Sequence, residues 1–180
     1  MNIPDHFALF GLPERFELDR ADLEKRYLAL SREMHPDRHA TGSPKERLVA
    51  VQRTTDLNLA YKTLRDDFLR AEHLLRRRGI QVSEAESQDS RATVDTSLLM
   101  EVMELREALS DARAAKDMEK VTALAGNVRG RSEVAWAQIR TGFGEVEGGE
   151  ASSLSAVLAQ ITALRYYRRF LEEVTSMEEE

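Results

Sequence analysis

The chain has 180 residues, 42% of them hydrophobic and 32% charged, enough for one large or two small soluble domains rich in exposed helix faces. It contains no cysteine, which excludes a disulfide framework, a thiolate zinc site and an iron–sulfur cluster held by its own sulfurs, and fits a reducing compartment. The net charge of −6 is uneven: residues 1–80 carry 15 Lys/Arg against 13 Asp/Glu, while residues 81–180 carry 11 against 19. The acidic total argues against nucleic acid as a partner, and two halves of opposite sign suggest two functional surfaces.

The start, Met1-Asn2-Ile3-Pro4-Asp5-His6, lacks the basic-then-apolar pattern of a signal peptide. No apolar run approaches the roughly 18 residues needed to cross a bilayer, so no membrane partner and a cytoplasmic location are expected. All four prolines (Pro4, Pro13, Pro36, Pro44) fall in the first quarter, and alternating β-branched runs are missing. The expectation is an all-α protein of seven helices.

The first helix covers about residues 4–10 and ends at Gly11-Leu12-Pro13. The second runs from Asp19 as N-cap to about Met34, with Leu23, Tyr27, Leu30 and Met34 on one stripe. Pro36 then disfavours helical backbone at His35, so the helix stops there. Ser43-Pro44-Lys45-Glu46 restarts it as a capping box with proline at the first helical position. This third helix reaches about Arg65 and carries two stripes, Leu57/Ala60/Tyr61/Leu64 and Leu48/Val51/Thr55/Leu59, which implies contacts on both sides. A fourth runs to Arg77, and Gly79 ends it after three arginines that suit the helix dipole.

Residues 81–94 are polar and unpatterned, a linker between residues 1–79 and 96–180 once its flanking positions 80 and 95 are included. Three further helices follow: one from Asp95 or Thr96 to about Ala114, one from about Asp117 to Ile139, and one from about Ser153 to Met177. Gly142, Gly144, Gly148 and Gly149 are read as the loop before the last. The stripes Leu98/Val102/Leu105/Leu109, Val121/Val128/Ala135/Ile139 and Leu154/Val157/Ile161/Leu164 describe a three-helix bundle.

Two features exceed what a core needs. The turn His35-Pro36-Asp37-Arg38 places an imidazole, a carboxylate and a guanidinium at the tip of a helical hairpin with one φ fixed. Such a tip loses little freedom on entering a partner's cleft. On the bundle, Leu99, Met100 and Met103 lie roughly 100–200° from the core stripe of their helix, edged by Glu104, Arg106 and Glu107. Methionine suits adaptable binding surfaces, and surplus apolar patches mark partner sites. Tyr166 and Phe170 likewise lie off the stripe of the last helix and offer interface anchors. All five also suit packing on a neighbouring helix. His35 and His39 as metal ligands would need an uninterrupted helix and a third ligand, so no metal is expected. No nucleophile motif or phosphate loop accompanies them, so neither catalysis nor a cofactor is expected. His6 and His73 are read as structural.

The hairpin resembles a J domain: His35-Pro36-Asp37 at a helix end, Tyr27 and Leu30 before it, and Leu57-Asn58-Leu59-Ala60-Tyr61-Lys62-Thr63-Leu64 after it. The resemblance implies docking on a DnaK/HscA-type chaperone and stimulation of its ATPase through His35, Pro36, Asp37 and Arg38 with the basic face Arg26 and Arg32, and Lys25 beside them. The family often has lysine where this chain has Arg38, and the two differ in geometry. Arg70-Ala71-Glu72-His73-Leu74-Leu75 and Asp95-Thr96-Ser97-Leu98-Leu99-Met100-Glu101-Val102-Met103-Glu104-Leu105-Arg106-Glu107 further resemble the HscB-type co-chaperones of iron–sulfur cluster biogenesis. That resemblance implies a bundle that binds an IscU-type scaffold through Leu99, Met100, Met103, Glu104, Arg106, Glu107 and Tyr166. Some members carry N-terminal metal-binding cysteines; this chain has none and is similar to the simpler bacterial form. The alternatives are a general J-domain co-chaperone for unfolded clients, which needs a broader apolar groove, and a helical metalloenzyme, which needs histidines the bundle lacks.

Overall fold

A computed structural model describes residues 3–35, 43–82 and 95–178. Among the described residues the proline-poor sequence gives seven helices and no strand: α1 His6–Phe10, α2 Arg20–Glu33, α3 Pro44–Arg65, α4 Asp67–Arg77, α5 Thr96–Ala114, α6 Met118–Glu147 and α7 Ser153–Glu178. The chain divides into two compact units, residues 1–80 and 81–180.

In the first unit, α2 and α3 form the hairpin, with α1 and α4 packed on it. Leu23, Leu57, Ala60 and Leu64 make the seam, closed by Phe7 and Phe10 of α1. Tyr27 stacks on Tyr61 with centroids 4.0 Å apart, and its hydroxyl donates to Asn58 Oδ1 at 3.0 Å. The other stripe of α3 stays open: Leu48, Val51 and Leu59 are 70%, 50% and 55% exposed, so only one side of this helix is used within its unit.

A buried arginine locks α4. Arg70 Nε donates to the Phe16 carbonyl at 2.8 Å, one terminal nitrogen to the Leu64 carbonyl at 2.6 Å, and the other to Asp67 at 2.6 Å. Its guanidinium lies over the Phe16 ring, 4.9 Å from the centroid. A buried charge is tolerable only when its donors are taken up in this way. Burial pushes the Asp67 carboxyl up, but hydrogen bonds from Arg20 and Arg70 outweigh that and hold it below its ordinary value.

In the second unit, α6 and α7 form the most extensive helix pair, and α5 lies against both over a shorter seam. Two expectations are corrected here. The second bundle helix does not stop at Ile139; it continues through Gly142 and Gly144 to Glu147. Gly142 is a crossing point, because a Cβ there would lie 2.5 Å from Val157 Cγ2. The turn belongs to Gly148 and Gly149, the latter at φ 105°. Phe170, read as surplus, is buried at 2% exposure with Ala163, Tyr167 and Val174. The buried sector of α7 drifts round the helix along its 26 residues, so a stripe extrapolated from the first turns misses it.

Candidate functional site

The hairpin tip begins where α2 runs out. The Met34 N–H still bonds the Leu30 carbonyl, and the Met34 carbonyl accepts from Thr54 Oγ of α3 at 3.1 Å. Across the loop, Ser43 Oγ accepts from the Glu46 N–H while Glu46 Oε2 accepts from the Ser43 N–H at 2.7 Å. Met34 and Ser43 are thus both held by α3, the first by its middle at Thr54 and the second by its first turn at Glu46. His35 is exposed immediately after the pinned Met34. Pro36, Asp37, Arg38 and His39 lie outside the described residues.

Of the basic residues, Lys25 and Arg32 are exposed on α2. Arg26 is engaged within the unit: Nε bonds Asp22 at 2.9 Å, and a terminal nitrogen bonds the carbonyls of Phe10 and Gly11 at 2.9 and 3.0 Å. It caps the C-terminal end of α1, where unsatisfied carbonyls attract cations. Leu28, 47% exposed one turn after Lys25, is an apolar centre on this side of α2 that stripe counting passes over.

On the bundle, burial sets Met100 and Met103 apart from the core stripe of α5, but not Leu99, which is half-buried like Leu98 and Leu105. Val102 and Leu109 are buried and Leu98 and Leu105 half-buried. Met100 and Met103 are 59% and 70% exposed. Leu99 is half-buried, Glu104, Arg106 and Glu107 are exposed, and Tyr166 on α7 is half-buried. The described residues contain no group of three or more potential metal ligands, and no described helix is long and apolar enough to cross a membrane.

Stripe counting missed a polar cluster beside this strip. Tyr167, 6% exposed, donates its hydroxyl to Glu101 Oε1 at 2.8 Å, and Arg131 of α6 reaches the same oxygen at 2.6 Å. Arg131 Nε is in turn held by Asn127 Oδ1 at 2.7 Å. Burial, and then the carboxylate it faces, push the Tyr167 phenol above its ordinary value. The available signal was an aromatic with a polar tip three residues beyond Leu164, the last residue of the inward stripe.

Comparison with known proteins places this arrangement. The family model described as HSCB C-terminal oligomerisation domain matches residues 94–175. The chain is 40% identical over 154 residues to a co-chaperone protein HscB homolog of Ralstonia nicotianae, covering 84% of each. It is 35% identical over 177 residues to the homolog of Shewanella oneidensis, covering 97% of each. The structure of chaperone HscB from Vibrio cholerae superposes with a TM-score of 0.79 at 34% identity, over 98% of both chains. A helical hairpin unit, a three-helix unit and similarity along nearly the whole length coincide: the chain belongs to the HscB co-chaperone family.

Proposed function

We propose that the protein is an adaptor. The unit 1–80 engages a DnaK/HscA-type chaperone and stimulates its ATPase through His35, Pro36, Asp37 and Arg38, with Arg32, Lys25 and Arg26 on the flanking face of α2. The unit 81–180 captures an IscU-type iron–sulfur scaffold through Leu99, Met100 and Met103, rimmed by Glu104, Arg106 and Glu107, with Tyr166 from α7. The chaperone then closes on the delivered scaffold and cluster transfer to recipient proteins is favoured. The chain contributes binding and positioning and does no chemistry itself.

The observation that carries this reading is the exposure of Met100 and Met103 at 59% and 70% on a helix whose opposite face is buried. Exposed side chains of this kind add nothing to folding, and a flexible apolar pair with a charged rim suits a protein partner. Holding both partners on one chain raises the client's local concentration at the ATPase. Steady-state turnover of the chaperone, titrated with the wild-type protein with and without scaffold, tests it. Stimulation lost in His35→Gln, and a further synergistic rise with scaffold lost in a Leu99/Met100/Met103→Ala variant, are expected. Stimulation without synergy would instead indicate a general co-chaperone.

A further inference from the structure

The half of α5 that carries the exposed methionines is the half held least firmly by apolar packing. Of its nineteen residues only Val102, Leu109 and Ala112 are buried, and Val102 alone lies in the first ten. One buried valine does not fix the rotation of a helix about its axis, because its neighbours Leu98 and Leu105 are only half-buried. A rotation of a few tens of degrees would move Met100 and Met103 relative to Tyr166. The Glu101 carboxylate supplies the second fixed point. Its Oε1 accepts from Tyr167 of α7 at 2.8 Å and pairs with Arg131 of α6 at 2.6 Å, so one oxygen is held by both other helices of the bundle. Asn127 aligns the Arg131 guanidinium one turn away, and the Glu101 side chain is only 28% exposed, where such a pair is less screened than at a free surface. Two donors converging on one acceptor from different helices restrict rotation far more than either alone.

The geometry points to Glu101, Tyr167 and Arg131 as positioning residues that hold the strip Leu99/Met100/Met103 at the angle required by its protein partner. This rests on the docking role proposed above. Tyr167 is the informative member, because at 6% exposure it does not itself reach a partner, so its effect on binding passes through Glu101.

Binding of a purified IscU-type scaffold by isothermal titration calorimetry, at a temperature well below the melting of every variant, tests this. Tyr167→Phe and Glu101→Ala should each weaken binding roughly tenfold, the scale on which loss of a supporting shell acts. Glu101→Gln keeps an acceptor oxygen for both donors and should recover most of the affinity. The double variant Glu101→Ala/Tyr167→Phe should bind no worse than Glu101→Ala, because both changes remove one bracket. Wild-type affinity in Tyr167→Phe and Glu101→Ala overturns the inference, even if both melt at lower temperature. So does full additivity in the double variant. Failure of a different kind is recognisable: if Met100→Ala/Met103→Ala binds like the wild type, the docking strip itself is wrong and the bracket falls with it.

Discussion

His73 shows what a single buried side chain imposes. Its ring stacks on His6 with centroids 4.3 Å apart and packs near Phe7, and among the described residues its Nε2 has no hydrogen-bond partner. Burial first, then His6 and Arg77, push its pKa down to about 4 against the opposing pull of Glu14 and Asp5. Burial also lowers His6. Below the ordinary value of 6.5 the unfolded chain takes a proton that the folded chain refuses until about 4. Stability is therefore full above pH 6.5 and falls as pH drops from there toward about 4, by up to about 3 kcal/mol. His73→Phe should flatten the dependence of α4 amide-exchange stability on pH between these limits; parallel curves for the two proteins would show that the histidine is not responsible. Arg70 makes a second case at this scale. Arg70→Met keeps the apolar stem but leaves the Phe16 and Leu64 carbonyls without their donors, and should cost about 2–4 kcal/mol in urea titrations that follow the first unit.

At the scale of elements, the glycines of α6 separate two reasons for a missing side chain. Gly142 is buried where α6 crosses α7, and the Val157 methyl that an added Cβ would meet is itself 1% exposed and has nowhere to move. Gly142→Ala should therefore destabilise the bundle by about 1–3 kcal/mol. Gly126 and Gly130 lie in the same helix with nothing within 4 Å of an added Cβ. Alanine at either should raise stability by about 0.5–1 kcal/mol, because it lowers backbone entropy in the unfolded chain. Thermal melts of the three single variants decide it, and a stabilising Gly142→Ala would contradict the close crossing. The same helix shows what sequence reading reaches. Caps are local, and Asp19, Ser43, Asp95 and Asp117 start helices where the side chains alone indicate. The end of α6 was misplaced because a glycine needed for helix–helix approach looks, in one dimension, like a glycine needed for a turn. The exposed methionines of α5 were legible because a helix has only one core-facing side. The Tyr167–Glu101–Arg131 cluster was not, since Glu101 and Tyr167 lie 66 residues apart along the chain and, like Arg131, meet only once three helices pack.

For the whole molecule, the issue is why two units with different surfaces share one chain. Residues 1–80 carry a slight positive balance and residues 81–180 a marked negative one, so the two units suit different partners. If delivery depends on covalent connection, two full-length variants with complementary defects will not rescue each other. His35→Gln keeps the methionine strip, and Met100→Ala/Met103→Ala keeps the hairpin loop. In an equimolar mixture every function is present, but no molecule carries both. Synergistic stimulation by scaffold should stay near the level of the methionine variant alone, because the client held by one chain gains no local concentration at an ATPase engaged by another. Raising total protein should restore little, since tethering over a short linker corresponds to effective concentrations of about millimolar. Full synergy from the mixture at micromolar concentration would show that the two surfaces act independently, and that their joining on one chain is not what delivers the client.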